Sequence, residues 1–132
     1  MFRALIVEDD VTSQMMLQRF LEPHAECHVV AGGKEAVQAF KMAKDEERPY
    51  RLICLDIMIP EMDGQAVLKE VRSMEAAEMI LDGRGVKVIM TSSLTDGHNV
   101  MTAFRELCDG YLVKPFDRAK LLEQLRRFRL IV

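Results

Sequence analysis

With 132 residues, 49% of them hydrophobic and 30% charged, the chain is long enough for one domain with a sizeable core and too short for two ordinary ones. That composition excludes a disordered or fibrous polymer, and a net charge of −3 gives no general pull toward nucleic acid or anionic membrane. No apolar run approaches the roughly 20 residues that span a bilayer. Glu8-Asp9-Asp10 also cuts the N-terminal apolar run too short for a signal peptide, so the default setting is cytoplasmic.

Phe2 to Val7 reads as a strand, and an acidic turn leads from it into a helix over Val11 to Leu21. In that helix Met16 and Phe20, and Leu17 and Leu21, pair at helical spacing before Pro23 stops the run. Asp10 and Thr12 are both candidate caps for it. Cys27 to Ala31 reads as a second short strand, and Gly32-Gly33 turns the chain into a helix with Ala36, Val37, Phe40 and Ala43 on one face. A charged loop, Lys44 to Arg48, precedes a third strand, Leu52 to Leu55. Val67, Leu68 and Val71 mark a third helix, with Met74 to Ile80 as its candidate extension and Gly83 and Gly85 as its stop. Val86 to Met90 is a fourth apolar strand; Val100, Met101, Phe104 and Leu107 outline a fourth helix; Tyr111 to Val113 is a fifth strand. Asp117 is placed to cap a last helix bearing Leu121, Leu122, Leu125 and Phe128.

Strand and helix thus alternate five times, which calls for a parallel sheet with helices on both faces and right-handed crossovers. Parallel strands are buried on both sides, which explains continuous apolar runs where alternation is otherwise expected. In such folds the reactive crevice lies beyond the carboxyl ends of the strands. The residues at those ends are Glu8, Asp9 and Asp10 after the first strand, Asp56 after the third, Thr91 and Ser92 after the fourth, and Lys114-Pro115 after the fifth.

Two unit charges about 4 Å apart repel by roughly 4 kcal/mol at an effective dielectric of 20, so converging carboxylates need a cation. Hard oxygen ligands suit Mg2+. Glu8, Asp9 and Asp56 count −3, Mg2+ +2 and Lys114 +1, and the hollow sums to zero. Asp56 as nucleophile, with the Thr91 hydroxyl and the Lys114 ammonium to hold the product, fits phosphoryl transfer by positioning and charge neutralisation. Taken singly, an Asp after a strand is usually a turn former or cap, Thr91 a strand-end residue and Lys114 a solvated one. Their shared location argues against accident. The cysteines Cys27, Cys54 and Cys108 lack C-x-x-C spacing and read as small core residues, and His24, Cys27 and His28 lack a fourth ligand for zinc.

LIVEDD, AGGKEAV, LDIMIPEMDG, VIMTSS and GYLVKPF, in that order, resemble the receiver domains of bacterial two-component response regulators, from about Phe2 to Phe128. The resemblance implies a flavodoxin-like doubly wound (βα)5 fold, a five-stranded parallel sheet in strand order 2-1-3-4-5. It implies a single receiver domain over residues 1–132 with no output domain in this chain, either a stand-alone receiver or one cut from a longer regulator. By the same resemblance Asp56 is the phosphoacceptor. Asp9 and Asp56 are the side-chain ligands of Mg2+, for which Mn2+ can substitute, with Glu8 acting through water and the Met58 carbonyl completing the set. Thr91, with Ser92 beside it, and Lys114 bind the phosphoryl group. Lys114-Pro115 is a cis peptide, Tyr111 an aromatic switch, and Pro60 and Gly64 shape the acceptor loop. Asp10 lies beside the site, and Met58 and Ser93 fall where side chains tune the phosphoryl lifetime.

The implied role is signalling, not enzymatic turnover. The donor is a sensor histidine kinase or phosphotransfer protein, and the readout is the face formed by the fourth helix, fifth strand and last helix around His98, Phe104, Tyr111 and Arg118. The target is a downstream protein or output domain, with no direct nucleic-acid or membrane partner and a homodimer left open. Arg118, Lys120, Arg126, Arg127 and Arg129 make the last helix basic without any recognition motif. Three rivals fit less well. A haloacid dehalogenase-like hydrolase needs an acid at position 58, which is Met. A flavodoxin-like mononucleotide binder needs a glycine-rich phosphate loop where Glu8-Asp9-Asp10 stands. A receiver-shaped adaptor has no use for the intact acid, Thr and Lys set.

Overall fold

Along β1 (Phe2–Val7) alternate side chains enter two different cores, Leu5 and Val7 on one face, Ala4 and Ile6 on the other. The computed structural model describes residues 1–80, 85–93 and 107–132. In it β3 (Leu52–Asp56) sends Ile53 and Leu55 to the first core and Leu52 and Cys54 to the second. β4 (Lys87–Ser92) repeats the division with Val88 and Met90 against Ile89. Two-sided burial is why these strands read as unbroken apolar runs.

The remaining elements are α1 (Val11–Leu21), β2 (Ala25–Val30), α2 (Gly33–Asp45), α3 (Gly64–Ala77), β5 (Gly110–Val113) and α4 (Arg118–Arg127). All strand pairs are parallel, in the order β2-β1-β3-β4-β5, which is the flavodoxin-like arrangement expected. α2 and α3 cover the first core with Ala36, Phe40, Ala43, Val67, Leu68 and Val71. α1 and α4 cover the second with Leu17, Leu21, Leu121, Leu122 and Leu125. Each fully buried Leu or Phe contributes about 1.5–3 kcal/mol. Among the described residues no helix is long and apolar enough to cross a membrane.

Three helices start on an aspartate whose carboxylate accepts first-turn amides: Asp10 from Ser13, Asp63 from Ala66, and Asp117 from Ala119 and Lys120. Of the two candidates for α1, Asp10 is therefore the cap. α1 ends at Leu21 as expected, but the carboxyl end of α3 departs from expectation. α3 stops at Ala77, short of Gly83 and Gly85, because Met79 adopts φ 61 while its N–H donates to the Ala76 carbonyl and that of Ile80 to Glu75. This paired closure satisfies the last carbonyls without glycine. Glu47 (φ 60) ends α2 and Arg129 (φ 62) ends α4 with the same two bonds. Edges shift as well. β2 begins at Ala25 because Phe2 and Arg3 pair with Ala25 and Glu26, and Thr91 and Ser92 belong to β4 itself. Val100, Met101 and Phe104 of the fourth expected helix, His98 and Gly83 lie outside the described residues.

A left-handed conformation costs a side-chain-bearing residue roughly 1–2 kcal/mol, and Met79 is exposed enough to lose no packing. Met79→Gly is therefore expected to raise unfolding free energy by about 1 kcal/mol in urea titration, and a loss of stability would contradict this reading of the helix end.

Candidate functional site

The Glu8 N–H donates to the Val30 carbonyl at 3.0 Å, extending the parallel ladder one residue past β1 with the Glu8 carboxylate turned inward. Glu8 is fully buried. Its Oε2 accepts the Asp10 N–H at 3.1 Å, and its carbonyl accepts the Gln14 amide at 2.6 Å. Asp10 points away into its own cap, accepting the Ser13 N–H at 3.0 Å and hydroxyl at 2.8 Å. Asp9 is exposed, yet carboxylate oxygens of Glu8, Asp9 and Asp56 all lie within 4.8 Å of one another.

Asp56 is the last residue of β3 and pairs in register with Thr91. Its Oδ1 accepts the Met58 N–H at 3.1 Å, which turns the chain at once out of the sheet. Gly64 closes this turn by donating its N–H to the Ile57 carbonyl at 3.0 Å. A Cβ on Gly64 would strike the Asp56 carbonyl oxygen, and one on Gly33 would strike the Met62 carbonyl oxygen. Glycine at both places thus lets two helix starts press against the loop that carries Asp56.

From the other side, the Lys114 N–H donates to the Ser92 carbonyl at 2.7 Å, and Lys114-Pro115 is a cis peptide. The Lys114 ammonium lies 2.6 Å from Glu8 Oε1 and 3.0 Å from Asp56 Oδ2. Thr91 and Ser92 are buried at the end of β4, and the Thr91 hydroxyl makes no hydrogen bond among the described residues. The structure therefore gathers Glu8, Asp9, Asp56 and Lys114 at the carboxyl end of the sheet with Thr91 in register beside Asp56, whereas Ser92, next along β4, contributes its carbonyl to the Lys114 N–H. It does not gather the Met58 side chain, which is 66% exposed, or the Tyr111 ring, which is 48% exposed on β5.

Burial, with the Asp56 carboxylate adding to it, pushes Glu8 up to about 7 against the opposing pull of Lys114 and the Asp10 N–H. Burial alone would lower the Lys114 ammonium, but its hydrogen bonds to Glu8 and Asp56 outweigh that and hold it above the usual lysine value. One ammonium offsets only one of three carboxylates, and those are hard oxygen donors within reach of a common point. The set fits a divalent cation such as Mg2+. Cys54 is pushed up to about 12 and Cys27 to about 11 by burial, so these thiols stay protonated. Sequence reasoning missed Gln14, whose amide braces Glu8, and an Arg72–Glu75–Asp109 network at the far end of the sheet. The i,i+3 spacing of Arg72 and Glu75 was the available signal, but Asp109 lies 37 residues on from Arg72.

The family model described as the response regulator receiver domain matches residues 4–126. Chemotaxis protein CheY of Bacillus subtilis is 30% identical over 125 residues, covering 95% of each chain. Regulatory protein VanRB of Enterococcus faecalis is 32% identical over 124 residues, covering 93% of this chain and 50% of that one. The receiver domain of sensor histidine kinase PA1611 from Pseudomonas aeruginosa, solved with a magnesium ion coordinated in the active-site cleft, superposes with a TM-score of 0.76. It is 26% identical and covers 96% of each chain.

The Glu8 proton links the site to stability. With an unfolded carboxyl at 4.5 and a native one at about 7, the metal-free native state binds the extra proton between those values. That contribution is complete below the lower value and is lost as pH rises through the upper one. Thermal midpoints in EDTA should therefore fall from about pH 5 to about pH 8, less so in Glu8→Gln, and saturating Mg2+ should raise the midpoint more at the higher pH. Identical pH profiles for the two proteins would contradict the assignment.

Proposed function

The chain belongs to the response regulator receiver domain family, and from that premise we propose that Asp56 is its phosphoacceptor, loaded from the phosphohistidine of a sensor histidine kinase or phosphotransfer protein. The observation that carries this reading is the Lys114 ammonium at 3.0 Å from Asp56 and 2.6 Å from Glu8, beside the three-carboxylate group. An Asp56 carboxylate oxygen forms the new bond to phosphorus while the phosphorus–nitrogen bond of the donor breaks, and the imidazole nitrogen keeps the electron pair. Asp9, Asp56 and the Met58 carbonyl would hold Mg2+ or Mn2+, with Glu8 acting through water. The bound cation would neutralise phosphoryl oxygens that three carboxylates otherwise repel.

The product adds about one negative charge to the hollow. Lys114 is already poised to pair with it, and the buried Thr91 hydroxyl, which makes no hydrogen bond among the described residues, can donate to it with Ser92 next along β4. These bonds favour one of two arrangements of the β4 and β5 ends. Moving the active population from 1% to 99% needs about 5.5 kcal/mol, within reach of a few charge-assisted hydrogen bonds at roughly 1.5–3 kcal/mol each. Tyr111 would turn inward in response, and the face including β5 and α4 would then engage a downstream protein or output domain. This is a cytoplasmic signalling role in which the chain assists only its own loading and unloading. Neither Met58 nor Ser93 supplies an acid or base for attacking water, which favours a long-lived acyl phosphate.

Incubation with acetyl phosphate and Mg2+ should add one phosphoryl mass, lost on hydroxylamine treatment and absent in Asp56→Asn. Sustained turnover of phosphomonoesters, or an unchanged adduct in Asp56→Asn, would overturn the proposal.

A further inference from the structure

At the end of the sheet opposite Asp56, one guanidinium joins three segments. Arg72 of α3 donates from Nη1 to Glu75 Oε1 at 2.7 Å and to the Val86 carbonyl at 2.9 Å. Its Nε donates to the Leu107 carbonyl at 2.8 Å and its Nη2 to Asp109 Oδ2 at 2.9 Å. Both acids also grip β4 from below. Glu75 Oε2 accepts the Val86 N–H at 2.7 Å, Asp109 Oδ2 accepts the Val88 N–H at 2.8 Å, and the Asp109 N–H donates to the Val88 carbonyl at 2.8 Å. Glu75 is buried, and its carboxylate meets the Arg72 guanidinium at 2.7 Å.

β5 needs such a fastening. It is four residues long, sits at the sheet edge with β4 as its one partner among the described residues, and buries only Leu112. A strand with a single buried side chain specifies its register weakly. Slipping by one residue would carry Lys114 about 3.3 Å along the strand, more than the contacts it makes with Glu8 and Asp56 can tolerate. The Asp109–Val88 bonds set that register one residue before β5 begins, and Arg72 holds Asp109 in place.

Resting on the reading of Asp56 as phosphoacceptor, we infer that Arg72 is a positioning residue for phosphoryl transfer, acting through Asp109 and the β5 register to hold Lys114 against Asp56. Nothing in its chemistry requires contact with the donor. A lysine in its place keeps the charge but cannot fork between Glu75, Asp109 and two carbonyls.

The test is a double-mutant cycle on the rate of loading by phosphoramidate with Mg2+, at donor concentrations high enough to follow slow variants. Arg72→Lys should slow loading at least about tenfold in the otherwise unaltered chain, as small misplacements of a reacting group do. In a Lys114→Ala background it should have less than about a twofold further effect, because its route of action is gone. Asp109→Asn should behave the same way and carries the test should Arg72→Lys fail to fold. Equal losses in both backgrounds, or no loss in the unaltered one, would overturn the inference. Absence of any loading at Asp56 in the unaltered chain would instead defeat the functional reading beneath it.

Discussion

Glu8 and Asp56 are acids at the ends of adjacent strands, both buried, with one ammonium between them. A fold that removes two carboxylates from water and leaves a third at their side must supply positive charge. Lys114 supplies part of it, at the cost of fixing a long side chain. The rest is expressed in Glu8, which holds its proton up to about 7. The hollow is in this sense unfinished, and a divalent cation and a phosphoryl group are what its charges can accept together.

The sheet explains how residues far apart in sequence reach this place. Parallel strands put all their carboxyl ends on one side, and the order β2-β1-β3-β4-β5 sets β1 and β3 side by side with β4 next. Glu8, Asp56 and Thr91 therefore converge without any special loop. Lys114 directly follows the edge strand β5, which buries only Leu112, and its placement draws on distant bonds as well as local ones. The two ends of the sheet divide the work: one holds a charge cluster able to change state, the other an ion network that holds strand register.

Much of this was legible in the residues themselves. Runs such as Leu52 to Leu55 announce two-sided burial, and Asp117 announces a helix start that its carboxylate makes good. The acids, Thr91 and Lys114 could be placed because strand ends in parallel sheets share an edge. Helix ends were harder, because Glu47, Met79 and Arg129 close helices in a left-handed conformation that their side-chain types disfavour. The apolar run Cys27 to Ala31 understates the start of β2, where Glu26 on the edge strand pairs with Arg3 of β1 at 3.0 Å. The Arg72 network depends on contacts across 37 residues, which no local pattern encodes.

Excess negative charge, offset in part by Lys114, is what the hollow offers to a cation. Calorimetric titration of Mg2+ into the protein and into Lys114→Met tests it most directly. Removing the ammonium should leave the carboxylates less compensated and tighten Mg2+ binding several-fold. Weaker binding by Lys114→Met, or no Mg2+ binding by either protein, would show that uncompensated carboxylate charge is not what draws the cation.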